Sequence, residues 1–168
     1  MKLSVSAVLL TLAVADPSGE AAQMCNQFEN PAKQIQGCTE YIRQAGAPGP
    51  NLAIAYINRG IAYASQRQFR RAIADFNEAI RLAPDSPLPY YNRANTHFDR
   101  KDYKQAVADF TAAIERDPSL ALAYYNRALA YERLSNRAKA IADLQKALEL
   151  DPDSVTVKSR LRKLGVSN

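Results

Sequence analysis

The stretches YINRG, YYNRA and YYNRA occupy residues 56–60, 90–94 and 124–128, each starting 34 residues after the last. A reaction centre needs its residues once. A strict, gapless recurrence instead demands a fold made of like units, each too small to bury its own apolar face and each covering its neighbour's. The period therefore constrains this chain more than any single residue does.

Setting position 1 at Ala53 gives units 53–86, 87–120 and 121–154. Position 4 is Tyr56, Tyr90 and Tyr124, and position 8 is Gly60, Ala94 and Ala128. Position 11 is a ring each time: Tyr63, His97 and Tyr131. Position 20 is Ala72, Ala106 and Ala140, and position 27 is Ala79, Ala113 and Ala147. Position 24 is Phe76, Phe110 and Leu144, and position 32 is Pro84, Pro118 and Pro152. Apolar residues within each half-unit recur at helical spacing. The small residues allow close helix approach, and the large ones fill the remaining space. The proline cannot continue a helix, so it ends the second helix of each unit.

This pattern resembles the tetratricopeptide repeat, a helix–turn–helix unit of that period, over 53–154 and the flanking pieces. The resemblance implies an all-α fold: an α-solenoid of three tandem repeats. Two departures stand out. Position 15, often Gly in the family, is Arg67, Lys101 and Ser135, and position 17, aromatic in Phe69 and Tyr103, is Arg137.

The flanks read as caps. In residues 16–52, Asn30, Pro31 and Gly46 suggest an N-cap, a first helical turn and a C-terminal stop. A shift of 38 residues aligns Ile35 with Ile73, Ile42 with Ile80 and Arg43 with Arg81, so this helix is expected to be an N-terminal half-repeat. Residues 155–168 suggest a C-terminal capping helix. Leu161 and Leu164 would face inward, with Lys158, Arg160, Arg162 and Lys163 exposed.

The resemblance also implies a concave groove lined by positions 2, 5, 6, 9, 12 and 13 of each first helix. Position 2 is Ile54, Leu88 and Leu122; position 5 is Ile57, Tyr91 and Tyr125; position 9 includes Asn95 and Leu129. Position 6 is Asn58, Asn92 and Asn126. An amide offers both donors and an acceptor. Three of them at one-repeat intervals could pair with the backbone of an extended peptide, like the asparagine ladder of peptide-binding superhelices. They could equally bond a neighbouring helix and space the units. A carboxylate clamp for acidic chaperone tails needs basic side chains at positions 5 and 2, where this chain has Ile57 and Leu122. A second polar column pairs position 7 (Arg59, Arg93, Arg127) with position 23 (Asp75, Asp109, Asp143), read as structural ion pairs between helices.

Residues 1–15 read as a signal peptide: Lys2, an uncharged apolar run, then Ala13-Val14-Ala15. The run is too short to span a bilayer. The expectation is cleavage without membrane insertion, and export to a bacterial periplasm. Secretion, or anchoring by an uncleaved signal, is the alternative. In an oxidising compartment the only two cysteines, Cys25 and Cys38, are expected to form a disulfide. No metal site is expected, since the single histidine is His97. The net charge of +5 falls to +4 without Lys2 (21 Lys and Arg against 17 Asp and Glu), and the signs alternate. That argues against nucleic-acid binding.

No phosphate loop, nucleophile elbow or His-Glu-x-x-His occurs, so neither catalysis nor a cofactor is expected. The function expected is a non-catalytic interaction module that captures a peptide or partner-protein segment in its groove. The alternative is a scaffold or assembly subunit of an envelope or secretion complex, using convex or end surfaces.

Overall fold

A computed structural model describes residues 19–45 and 49–166. Residues 1–15, expected to be a signal peptide, and Gly46 lie outside the described residues. The order is α1 (Glu20–Cys25), α2 (Pro31–Gln44), α3 (Pro50–Ser65), α4 (Phe69–Leu82), α5 (Pro87–Asp99), α6 (Tyr103–Arg116), α7 (Ala121–Arg133), α8 (Arg137–Leu150) and α9 (Val155–Lys163). No strand occurs among the described residues.

The helices stack as antiparallel pairs, α3 on α4, α5 on α6 and α7 on α8, one pair per repeat. Ala72, Phe76 and Ala79 of the first pair are buried completely, as are Ala106, Phe110 and Ala113, then Ala140, Leu144 and Ala147. These are positions 20, 24 and 27, the small–large–small stripe of each second helix. Gly60 takes the small position opposite Phe76, where a Cβ would lie 2.7 Å from the ring.

The turn within each repeat has one solution, used three times. Arg67, Lys101 and Ser135 adopt φ of 60°, 68° and 58°. Each is the left-handed residue of a Schellman motif. The amide after it bonds the carbonyl of position 11: Gln68 to Tyr63, Asp102 to His97 and Asn136 to Tyr131, each at 2.8 Å. This explains why glycine favours position 15, and three side chains here tolerate the strain.

The N-terminal cap is larger than a single second helix. α1 packs on α2 and touches α3, so the pair forms a truncated helical hairpin ahead of the first repeat. Asn30 caps α2 by accepting from the Lys33 amide at 3.1 Å. Cys25 and Cys38 are disulfide-bonded and fully buried. Closing so short a loop contributes about 3 kcal/mol in the chain-entropy account. Gly37 makes the contact possible: a Cβ there would run into Met24 Cβ and lie 2.6 Å from the Cys25 nitrogen.

At the other end, Val157 and Leu161 of α9 are buried against α8. Arg160, expected on the exposed side, instead forms a two-pronged pair with Glu132 of α7 at 2.7 and 2.8 Å. Lys158 is half-buried too. α9 thus sits as the first helix of a fourth, incomplete unit.

Candidate functional site

α3 touches α5 and α5 touches α7, while the second helices α4, α6 and α8 make no comparable approach to one another. A stack closer along one side curves toward it. The first-helix side is therefore the inner, concave face, and the second helices form the outer face.

Position 2 lines the inner face. Leu122 is 46% exposed, and Ile54 and Leu88 are half-buried. Tyr125 and Leu129 are also half-buried on α7. Position 5 behaves differently along the array. Ile57 and Tyr91 are buried, at 2% and 0% exposure, because the next repeat's first helix covers them. Tyr125 has only the short α9 after it and keeps part of its surface. The side chains of Ile57 and Tyr91 thus offer a ligand almost no surface.

The position-6 column is also buried: Asn58 at 0%, Asn92 at 2% and Asn126 at 4%. Its members reach back to the preceding first helix where that helix offers a polar partner. Asn126 Nδ2 donates to the Tyr91 hydroxyl at 2.9 Å and to Asn95 Oδ1 at 3.3 Å. Burial pushes the Tyr91 phenol up, so it stays a neutral hydroxyl. Asn58 Nδ2 donates to Asn26 Oδ1 at 3.4 Å, beyond the end of α1. Arg160, one period after Asn126, reaches back to Glu132 in the same sense. The preceding first helix has Ile57 and Ile61 at the positions of Tyr91 and Asn95, and Asn92 Nδ2 donates instead to the Leu88 carbonyl of its own helix at 3.0 Å. The Oδ1 atoms of Asn58 and Asn92 are buried without a hydrogen-bond partner.

The arginine column clamps second helices from the outer side. Arg59 pairs with Asp75 through both prongs at 2.8 Å, Arg93 with Asp109 at 2.7 Å and Arg127 with Asp143 at 2.8 Å. The third nitrogen of each reaches the previous unit: Thr39 at 3.1 Å, Asn77 at 2.6 Å and Thr111 at 2.9 Å. Each arginine therefore joins three helices. Sequence reading found the pairing but not the third arm, whose partner alternates between Thr and Asn and leaves no single-residue signature.

Among the described residues, no helix is long and apolar enough to cross a membrane, and no three potential metal-ligating side chains converge.

This repeat geometry matches a known family. Tetratricopeptide repeat models match residues 53–86 and 91–155, and the chain belongs to the tetratricopeptide repeat family. Among solved structures, MamA of Desulfovibrio magneticus RS-1 is similar over 85% of this chain and 78% of its own, at 26% identity and a TM-score of 0.74. The Arabidopsis OM64 TPR domain is 30% identical over 67% of this chain and 93% of its own, with a TM-score of 0.64. The first TPR of Spaghetti (RPAP3), solved with the HSP90 peptide SRMEEVD, is 27% identical over 67% of this chain and 90% of its own, with a TM-score of 0.65. No curated protein gives a significant match.

Proposed function

We propose that this chain is a non-catalytic protein-interaction module that receives an extended peptide or partner segment in its concave face. The observation that carries this is the apolar position-2 column on the inner face, ending in Leu122 at 46% exposure. Similar repeat structures solved with HSP90 and HSP70 peptides support the reading. Those peptides end in EEVD, and the present groove has Ile57 and Leu122 where a clamp for such tails needs cations. The segment received here is accordingly one with apolar side chains. Asn58, Asn92 and Asn126 would form the ladder for its backbone once binding uncovers these buried amides. Asn92 and Asn58 bring buried carbonyl oxygens without partners. Asn58 and Asn126 would have to trade their inter-helix bonds for the peptide's.

The place of action we propose is an exported compartment, a bacterial periplasm by the style of the leader. The Cys25–Cys38 bond supports this, because disulfides persist where thiols are oxidised. The second reading, a scaffold subunit, draws on Val155, 73% exposed at the start of α9, where a further unit could stack.

Panning short random peptides against the protein, with Leu122→Glu and Asn92→Ala alongside, tests the groove. Peptides retained by the wild type and lost by Leu122→Glu support it. A further loss with Asn92→Ala supports the ladder. Peptides held equally by all three proteins would move the interface elsewhere.

A further inference from the structure

The outer face carries a cleft of about 300 Å³ at the second repeat, at the low end of the ~300–1,000 Å³ range of small-molecule sites. Ile73 and Asn77 of α4, Arg93 and His97 of α5, and Gln105 and Asp109 of α6 line it. The sister repeats show what fills that place. In the first, the Arg59 guanidinium lies between two rings, 5.4 Å from Tyr56 and 5.9 Å from Tyr63. Arg71 then closes over Tyr63 at 5.6 Å. In the third, Arg127 lies 5.6 Å from Tyr124 and 6.0 Å from Tyr131, and Lys139 closes over Tyr131 at 5.4 Å.

The second repeat departs at both of these positions together. His97 stands where the others have Tyr63 and Tyr131, and Gln105 where they have Arg71 and Lys139. Arg93 keeps one ring, Tyr90 at 5.8 Å. Its side chain is 22% exposed, against 16% and 15% for Arg59 and Arg127. A smaller ring and an uncharged amide thus leave the Arg93 guanidinium more exposed than its counterparts, in a cleft that Ile73 also lines.

We propose that this cleft binds the side chain of a tyrosine presented by a partner protein. The ring would lie over the Arg93 guanidinium beside the smaller His97 ring, in space that Tyr63 and Tyr131 and the cations over them take up in the sister repeats. Its hydroxyl would meet the amides of Asn77 and Gln105, both exposed at the mouth. The guest is neutral, because Asp109 already balances the Arg93 charge through two hydrogen bonds. The site lies on the opposite side from the concave groove and does not depend on it.

The test is an NMR titration of the folded protein with p-cresol, N-acetyl-tyrosinamide and phenyl phosphate, following the Arg93 side-chain Nε–H and the His97 ring. Saturable shifts with p-cresol and N-acetyl-tyrosinamide, and weaker binding of phenyl phosphate, are expected. His97→Tyr/Gln105→Lys installs the side chains of the third repeat, so it should fold and abolish both shifts. Gln105→Ala, on the surface, should weaken p-cresol binding about three- to ten-fold, the effect of one hydrogen bond. Shifts that fail to saturate, or that persist in the filled variant, would overturn the site. Binding of p-cresol without N-acetyl-tyrosinamide would overturn the protein partner, and tighter binding of phenyl phosphate would overturn the neutral guest.

Discussion

Arg59 donates to the hydroxyl of Thr39 at 3.1 Å, the same third-arm contact that Arg93 makes with Asn77 and Arg127 with Thr111. Thr39 aligns with Asn77 under the 38-residue shift. The contact therefore places α2 as the second helix of a unit preceding the first full repeat. The array is clamped from the cap onward by one chemical device.

That device sets the first prediction. Arg127 and Asp143 are 15% and 9% exposed, so removing one leaves a buried charge. Arg127→Met should cost about 3–5 kcal/mol in urea unfolding. The double variant Arg127→Met/Asp143→Leu should recover most of that loss. A double variant as unstable as the single one would show that the pair adds real stability as well as fixing geometry.

The asparagine column should not respond evenly. Asn126→Ala strips a donor from the Tyr91 hydroxyl and Asn95, and should cost about 1–3 kcal/mol. Asn92→Ala removes one bond within its own helix and an unpartnered buried oxygen, and should be close to neutral. Thermal unfolding of the two variants decides this. Equal losses would contradict the unequal partners of the two amides.

Lys101 sits at φ 68° in the turn of the central repeat. Lys101→Gly relieves the left-handed cost and gives up some chain entropy, for a net gain of about 0.5–1 kcal/mol. Lys101→Ala keeps the strain and should show no such gain in the same denaturation experiment.

Gly37→Ala forces a methyl group into Met24 and the Cys25 backbone. Overpacking there should cost about 1–3 kcal/mol. Once the disulfide is reduced, α1 can move away and the penalty should shrink. An oxidised variant that melts with the wild type would mean that α1 packs less closely than described.

His97 is the chain's single histidine, and burial holds its imidazole below the usual range. Asp109 and Asp102 pull the other way, while Arg93 and Arg100 add to the depression. The unfolded chain then binds a proton more readily than the folded one. His97 contributes stability that is full above the ordinary histidine pKa and is lost as pH falls through the lower folded value. Stability should decline on acidification from pH ~7.5 toward ~5.5, near the ordinary value of about 6.5. His97→Tyr should flatten that decline, and an unchanged slope in the variant would refute the assignment.

Most of the architecture was legible before any coordinate. The period, the small–large–small stripe and the prolines are patterns within one unit, and each acts over a turn or two of helix. The Arg–Asp columns were visible for the same reason, being sixteen residues apart inside one repeat. The position-15 departures were visible as well, although the left-handed turn they tolerate needed the backbone to show it.

The candidate site was less legible, because a side chain's exposure depends on what the next unit places over it. Tyr91 and Tyr125 share a repeat position, yet α7 buries the first and only the short α9 follows the second. Asn92 and Asn126 share one too, yet the first bonds its own helix at Leu88 and the second bonds Tyr91 and Asn95 of the preceding one. The repeat, its helices and its turns could be read from the chain, because they follow from local periodicity and backbone preference. Which columns face inward, which amides are spent between helices and where a cleft opens had to wait for the packed array. Those follow from stacking one unit on the next, a sum of contacts between residues about a repeat apart.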